Sequence, residues 1–355
     1  MARAPFEIAG VQVKPGTRVT VEVPVAKLYT HTPLHIPGEV VHGRREGPVL
    51  MVCGAIHGDE INGVEIIRRV LKNGALRHLR GTLVAVPIVN IFGFVQRTRY
   101  LPDRRDLNRC FPGSESGSLG GRIAYLLRTQ IMENVTHIID LHTGAIHRFN
   151  LPQIRAELKN PETSRMADAF GAPIIINAGL REGSLRAYAD SLDIPVITFE
   201  GGEALRFDDV VIASGVKGII RVMRELEMVP AKKGTKAPKK RSETAANSQW
   251  VRADMDGIMR PVASLGQKVR KGQKLAMVAD PFGETEVAIT SPCSGIVICV
   301  NNLPLVNEGE AIYHIARFDE LGEAEKAMDY FRSSFESEVS EDAVVPVHPW
   351  DELQK

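Results

Sequence analysis

His57 and Glu60 stand three residues apart in GAIHGDEING, residues 54–63, directly after the apolar run PVLMVC. At a helix start or in a tight turn, that spacing puts both side chains on one side. An imidazole nitrogen and a carboxylate oxygen so placed can share one zinc ion at about 2.0–2.2 Å. The glycines at 54 and 58 are expected to let the backbone turn sharply after the strand. Taken alone the pair also suits a plain polar loop, so other residues must decide. A catalytic zinc of the two-histidine, one-glutamate type needs a second histidine. THIIDLHTG, residues 136–144, offers one. Strand alternation puts Ile138, Asp140 and His142 on one face and His137, Ile139 and Leu141 on the other. His142 falls at the strand's end, where α/β sheets place ligands. Asp140 could orient a ligand histidine through its ring N–H, whereas His137 reads as a hydrogen-bonded core histidine.

Three protein ligands leave a position for water, whose pKa zinc lowers to about 7. A further carboxylate must take the water's proton and return it to the leaving group. Glu200, in VITFEGG, ends an apolar strand just before two glycines and is the expected base, with Glu203 ranked second. RYLPDRRDLNRCFPG, residues 99–113, is dense in cations and has no helical period. Arginine's planar fork grips a carboxylate through two hydrogen bonds and can also stabilise a developing oxyanion.

The elements that must position these groups follow a βαβ rhythm. PVLMVCGAI, GTLVAVPIVN, THIIDLHTG and IPVITFEGG read as strands, and NGVEIIRRVLKNG, GGRIAYLLRTQIMEN and VVIASGVKGIIRVMREL as helices. The expected fold is therefore α/β, with a largely buried sheet. Residues 1–40 alternate in places, as in TRVTVEVPVAKL, and predict an N-terminal β ribbon; residues 41–230 form the catalytic domain. Residues 231–249 are basic, polar and poor in large apolar side chains, and read as a linker or surface loop. Residues 250–317 change to short strands punctuated by glycine turns, a small all-β module, and residues 318–355 form an acidic, partly helical tail.

The 355-residue chain has room for one large domain and a smaller one, and its composition is that of a globular protein. A net charge of +1 draws the whole molecule neither to nucleic acid nor to an acidic membrane. The basic run at 231–249 lacks the interleaved aromatics of a single-strand binder. The N-terminal segment has no signal-like apolar core, and no stretch approaches the roughly 18 apolar residues of a membrane span. Cys53, Cys110, Cys293 and Cys299 show neither CxxC pairing nor a disulfide-rich pattern. A cytoplasmic setting is expected, and a homo-oligomer is left open.

HGDE, DLNRCFPG, IDLHTG and the glutamate of ITFE occur here in one order. That ordered set resembles the succinylglutamate desuccinylase/aspartoacylase family, within the zinc carboxypeptidase-like hydrolases, over roughly residues 40–225. The resemblance implies a zinc-carboxypeptidase-like mixed twisted sheet flanked by helices. It implies one Zn2+ per chain on His57, Glu60 and His142, with Glu200 as general base. It matches Asn108 and Arg109 to the pair that holds the substrate's carboxylate, and Arg99 to the arginine that polarises the scissile carbonyl. Arg186, in GSLRAYA, matches a further substrate arginine. Aspartoacylase draws a tyrosine from its C-terminal domain, and no equivalent can be placed from this sequence. GQKVRKGQKLAMV and SPCSGIVI resemble the biotinyl/lipoyl-like fold, but TEVAIT carries no lysine, so the carrier function does not follow. The activity implied is hydrolysis of the amide of an N-acyl amino acid or a related small carboxylate-bearing amide. A peptide-trimming metallocarboxypeptidase would use the same groups, and a non-catalytic zinc-binding interaction protein is the reading from a different class.

Overall fold

The computed structural model describes residues 3–231 and 242–342. Its centre is a run of parallel strands, Arg80–Val86, Arg45–Gly54, His137–Gly144 and Val196–Glu203, in that spatial order. Antiparallel strands extend both sides: the hairpin Thr17–Lys27/Pro33–His42 beside Arg80–Val86, and Arg148–Ala156 beside Val196–Glu203. The sheet is therefore mixed, and the residues expected as a separate N-terminal ribbon supply its edge.

Alternation along the central strands builds two apolar layers. Leu50, Val52, Ile139, Leu141, Ile197 and Phe199 face one layer, which helices Asn62–Leu71, Pro161–Phe170 and Asp209–Glu225 cover. Met51, Cys53, Ile138 and Val196 face the other, beneath helix Leu119–Gln130. On that second face apolar side chains give way, toward the strands' C-terminal ends, to Asp140, His142, Thr198 and Glu200. Three helices cover the first layer; the second face opens at one end into a pocket.

The C-terminal all-β region does not stand apart. Gly295–Asn301 pairs with Arg148–Ala156, Ala311–Arg317 pairs with Gly295–Asn301, and Asn247–Arg252 forms the outer edge of the same large sheet. Gly257–Pro261, Lys274–Ala279, Glu286–Thr290 and Leu305–Val306 make a second, four-stranded sheet closing a core of its own. TEVAIT is strand in that sheet, and the hairpin tip before it, Asp280–Glu284, also lacks lysine. Much of the linker expected at 231–249 lies outside the described residues. Its end is strand rather than loop, since Glu243–Ala245 pairs in parallel with Ile174–Asn177 and Asn247–Arg252 follows. In the tail, helix Leu321–Asp342 buries Ala324 and Met328 on the seam between the two regions. Among the described residues, no helix is long and apolar enough to cross a membrane.

Candidate active site and metal centre

The loop after Arg45–Gly54 brings His57 and Glu60 together by a tight turn, closed by the Glu60 amide donating to the His57 carbonyl at 3.1 Å. Its glycines act differently from expectation. The left-handed residue of the turn is Ala55, at φ 47°. Gly58 is needed for space: a Cβ there would lie 2.0 Å from the carbonyl carbon of Gly93. Gly54 packs less closely, with a Cβ there 3.2 Å from the carbonyl carbon of Gly63.

His57, Glu60 and His142 are all buried, and their ligand atoms lie within 4.8 Å of one another. Glu60 sits between the two imidazoles, with Oε1 2.7 Å from His57 Nδ1 and Oε2 2.8 Å from His142 Nδ1. The far nitrogens are also held: His57 Nε2 is 3.1 Å from Asp106, and His142 Nε2 is 2.8 Å from Asp140. The Thr143 amide donates to Glu60 at 3.1 Å. Burial opposes charge on both imidazoles, but the adjoining carboxylates outweigh it. The His57 pKa is raised, and that of His142 is raised well above the ordinary histidine value. Burial likewise opposes ionisation of Glu60, yet the two imidazoles hold its carboxyl far below the usual range.

A neutral imidazole carries one ring proton, but here both nitrogens of each ring face carboxylates. A divalent cation at Glu60 and the two Nδ1 atoms would leave each ring neutral, donating Nε2–H to Asp106 or Asp140. That is the arrangement in which carboxylates orient metal-ligating histidines. The two nitrogens and one carboxylate suit zinc and leave a coordination position open. The donor set therefore fits the metal that the motifs imply.

Glu200 is the register partner of His142 on the neighbouring parallel strand. Its Oε2 accepts from Asn150 at 2.9 Å, while Arg155 Nε lies 3.1 Å from Oε1 at ion-pair distance. Glu203 is spent elsewhere, accepting from the His147 amide at 3.0 Å and Asn302 Nδ2 at 2.9 Å. Arg99 bridges Glu60 and Asp106, at 3.0 and 3.1 Å. Asn108 uses its side-chain oxygen to accept from the Leu185 amide at 2.9 Å, which ties the DLNR turn to the start of helix Leu185–Ser191, the helix bearing Arg186. Arg109 donates to the Asn108 carbonyl, and Arg186 to the carbonyls of Ala178 and Gly179. His137 lies outside the group, between Thr136 and Glu162.

The eight residues expected as metal ligands, general base or substrate contacts, His57, Glu60, Arg99, Asn108, Arg109, His142, Arg186 and Glu200, line one cavity of about 470 Å³. Sequence reasoning missed Asp106, Asn150, Arg155, Arg148 and Trp250. Asp106 had a signal, as the first residue of DLNR, where its carboxylate caps the short turn by accepting from the Asn108 amide at 2.9 Å. Trp250 and Cys299 come from the C-terminal region, so that region forms part of the cavity wall. Burial pushes the Cys299 thiol up to about 12, leaving it a neutral wall residue.

The chain belongs to the succinylglutamate desuccinylase/aspartoacylase family: the model of that family's catalytic domain matches residues 46–226. It is 27% identical over 295 residues to the N-alpha-acetyl-L-2,4-diaminobutyric acid deacetylase of Halomonas elongata, covering 79% of this chain and 85% of that one. Solved structures share the fold. A succinylglutamate desuccinylase/aspartoacylase from Rhodobacter sphaeroides matches with a TM-score of 0.75 at 22% identity, over 85% of this chain and 95% of that one. The product-bound ectoine utilization protein EutE (DoeB) from Ruegeria pomeroyi matches with a TM-score of 0.77 at 21% identity, over 89% and 98%.

Proposed function

We propose that this member of the family is a zinc-dependent deacylase that hydrolyses the amide of an N-acyl amino acid, with one zinc per chain held by His57, Glu60 and His142. The observation that carries the reading is the convergence of two imidazole nitrogens and a buried carboxylate beside Glu200, in a cavity rich in arginine. Bound there, zinc would lower the pKa of a water and polarise a carbonyl oxygen. The chain's own groups do the rest. Glu200 takes a proton from the attacking water as its oxygen adds to the acyl carbon, then gives that proton to the nitrogen as the C–N bond breaks. Asn150 and Arg155 each hold one of its oxygens, which fixes the carboxylate for both transfers. Arg99, anchored by Glu60 and Asp106, presents a fixed positive charge to the oxyanion that forms at the carbonyl. Asn108 and Arg109, with Arg186, hold the substrate's carboxylate.

Replacing Glu200 by Gln tests this directly. The variant should keep stoichiometric zinc by elemental analysis and lose about 10²–10⁴-fold in kcat on its best N-acyl amino acid. Wild-type turnover in that variant would remove Glu200 from the role.

A further inference from the structure

Of the two carboxylates that hold the imidazoles, Asp140 has the fewer partners, and one of them is a thiol. Asp106, which holds the His57 ring, also accepts from Arg99 and from the Asn108 amide. Asp140 holds the His142 ring through Oδ2, 2.8 Å from Nε2. It is fully buried, and among the described residues no guanidinium is bonded to it. Its other oxygen, Oδ1, accepts from Cys53 Sγ at 3.4 Å.

Cys53 ends the apolar run PVLMVC, where a cysteine usually behaves as a small hydrophobe. The sheet gives its sulfur a further role. Cys53 stands on strand Arg45–Gly54, directly opposite Asp140 on the parallel strand His137–Gly144, so the two side chains share a face. Val86 is its register partner on the other side, and Met51 and Ile138 lie in the same buried layer. The thiol thus brings a donor to Asp140 from inside an apolar layer. A second acceptor near Sγ, the Ile139 carbonyl, is farther off at 3.9 Å. Burial, and then the Asp140 charge, push the Cys53 pKa well above the ordinary thiol value, so the sulfur keeps a proton to donate. A carboxylate held at one oxygen alone can turn about its own bond. Tied at Oδ1 as well, Asp140 keeps Oδ2 on Nε2, and a ring held at Nε2 keeps Nδ1 toward Glu60.

We infer that Cys53 is a positioning residue of the metal centre: through Asp140, its thiol sets the direction in which His142 offers Nδ1 to the cation. This deepens the proposed zinc-dependent reading and rests on it. Cys53 is not among the residues lining the cavity, so its effect runs through Asp140.

The test measures zinc affinity of the full chain by competition against a chromogenic chelator. Cys53→Val has no donor and should weaken zinc binding by about 3–10-fold, the range of a modest neutral hydrogen bond. Asp140→Ala should weaken it by about 10–100-fold. Cys53→Ser keeps a hydroxyl donor and should stay within about twofold of wild type. In the Asp140→Ala background, Cys53→Val should cost nothing further, whereas a loss through packing alone would persist there. In the metal-free chain, the infrared S–H stretch of Cys53, isolated by subtracting the Cys53→Ser spectrum, should stand at the lower frequency of a hydrogen-bonded thiol and move in Asp140→Ala. Unchanged zinc affinity in Cys53→Val, an equal loss in the Asp140→Ala background, or a free-thiol stretch would each overturn the inference and leave the zinc site standing. A wild-type chain that binds no zinc would instead overturn the zinc-dependent reading, and this inference with it.

Discussion

Asp106 offers the sharpest test of how the proposed metal centre is built. Its carboxylate has three partners: His57 Nε2 at 3.1 Å, Arg99 at 3.1 Å and the Asn108 amide at 2.9 Å. Each bond does something different. The first fixes the His57 ring so that Nδ1 faces Glu60, the second anchors Arg99, and the third caps the DLNR turn. Removing the group that orients a metal-ligating histidine typically weakens metal binding by about 10–100-fold, or about 1.4–2.7 kcal/mol. Asp106→Ala should show the upper part of that range, with a further ~1 kcal/mol of stability lost with the cap. Asp106→Asn keeps a capping oxygen but removes the charge and turns an amide toward either His57 or Arg99. It should fold normally and still lose about tenfold in zinc affinity. Competition titration against a chromogenic chelator reads the affinity, and urea unfolding of the metal-free protein separates it from stability. His137→Gln is the control, since that histidine is bonded to Thr136 and Glu162 away from the centre. Wild-type zinc affinity in both Asp106 variants would refute the claim that this carboxylate holds the ligand ring.

Gly58→Ala would drive a Cβ to 2.0 Å from Gly93 backbone, which cannot rotate aside, so the turn must move. Expected are a loss of about 1–3 kcal/mol in unfolding free energy and weakened zinc binding; an unchanged melting temperature and zinc affinity would show that the loop tolerates the shift. Glu203→Ala strips the His147 amide and Asn302 of a buried acceptor, at a cost of about 1–3 kcal/mol by urea midpoint. A change of only a few tenths of a kcal/mol would mean that the tie does not hold the two regions together. Burial pushes the His314 imidazole down to about 3, with the Arg155 charge adding to the effect. Below about pH 6.5 the unfolded chain binds a proton that the folded chain does not. This contribution is therefore complete above that pH and is lost progressively as pH falls toward 3. At pH 5 the loss is about 2 kcal/mol. His314→Phe should flatten that part of the stability–pH curve, and an identical curve in variant and wild type would exclude the buried ring as its source.

The parts legible in the sequence were those fixed by short-range periodicity. The alternation of Leu50, Met51, Val52 and Cys53 between two layers follows from strand geometry alone. So does the shared face of Asp140 and His142, because two residues along a strand always return to the same side. Helices such as Asn62–Leu71 were visible from the apolar stripe of Ile66, Ile67 and Val70. What the sequence hid was pairing at long range. Nothing in RFNLPQIRA tells that Asn150 and Arg155 flank Glu200, because that depends on a strand nearly fifty residues later joining antiparallel, with a bulge between Glu200 and Gly202 that shifts the register. The pairing of the all-β region with the large sheet was hidden for a related reason: turn spacing marks a change of style in the chain and says nothing of which edges pair.

That pairing bears on function. A free edge at Arg148–Asn150 would expose unsatisfied N–H and C=O groups at the rim of the cavity. Gly295–Asn301 pairs with that edge. The same union sets Trp250 against Arg148, so the C-terminal region protects the sheet and shapes the cavity wall in one step. The division of labour then follows the sheet. His142 and Glu200 stand on central strands held by hydrogen bonds on both sides, whereas His57 and Glu60 stand on the loop that leaves Arg45–Gly54. The cavity wall at Arg148 and Trp250 comes from the margin, where a different C-terminal partner would change it without disturbing His142 or Glu200. Under the proposed deacylase reading, substitutions in this wall should alter KM more than kcat, and substitutions at Glu200, its donor Asn150 or its ion-pair partner Arg155 should alter kcat.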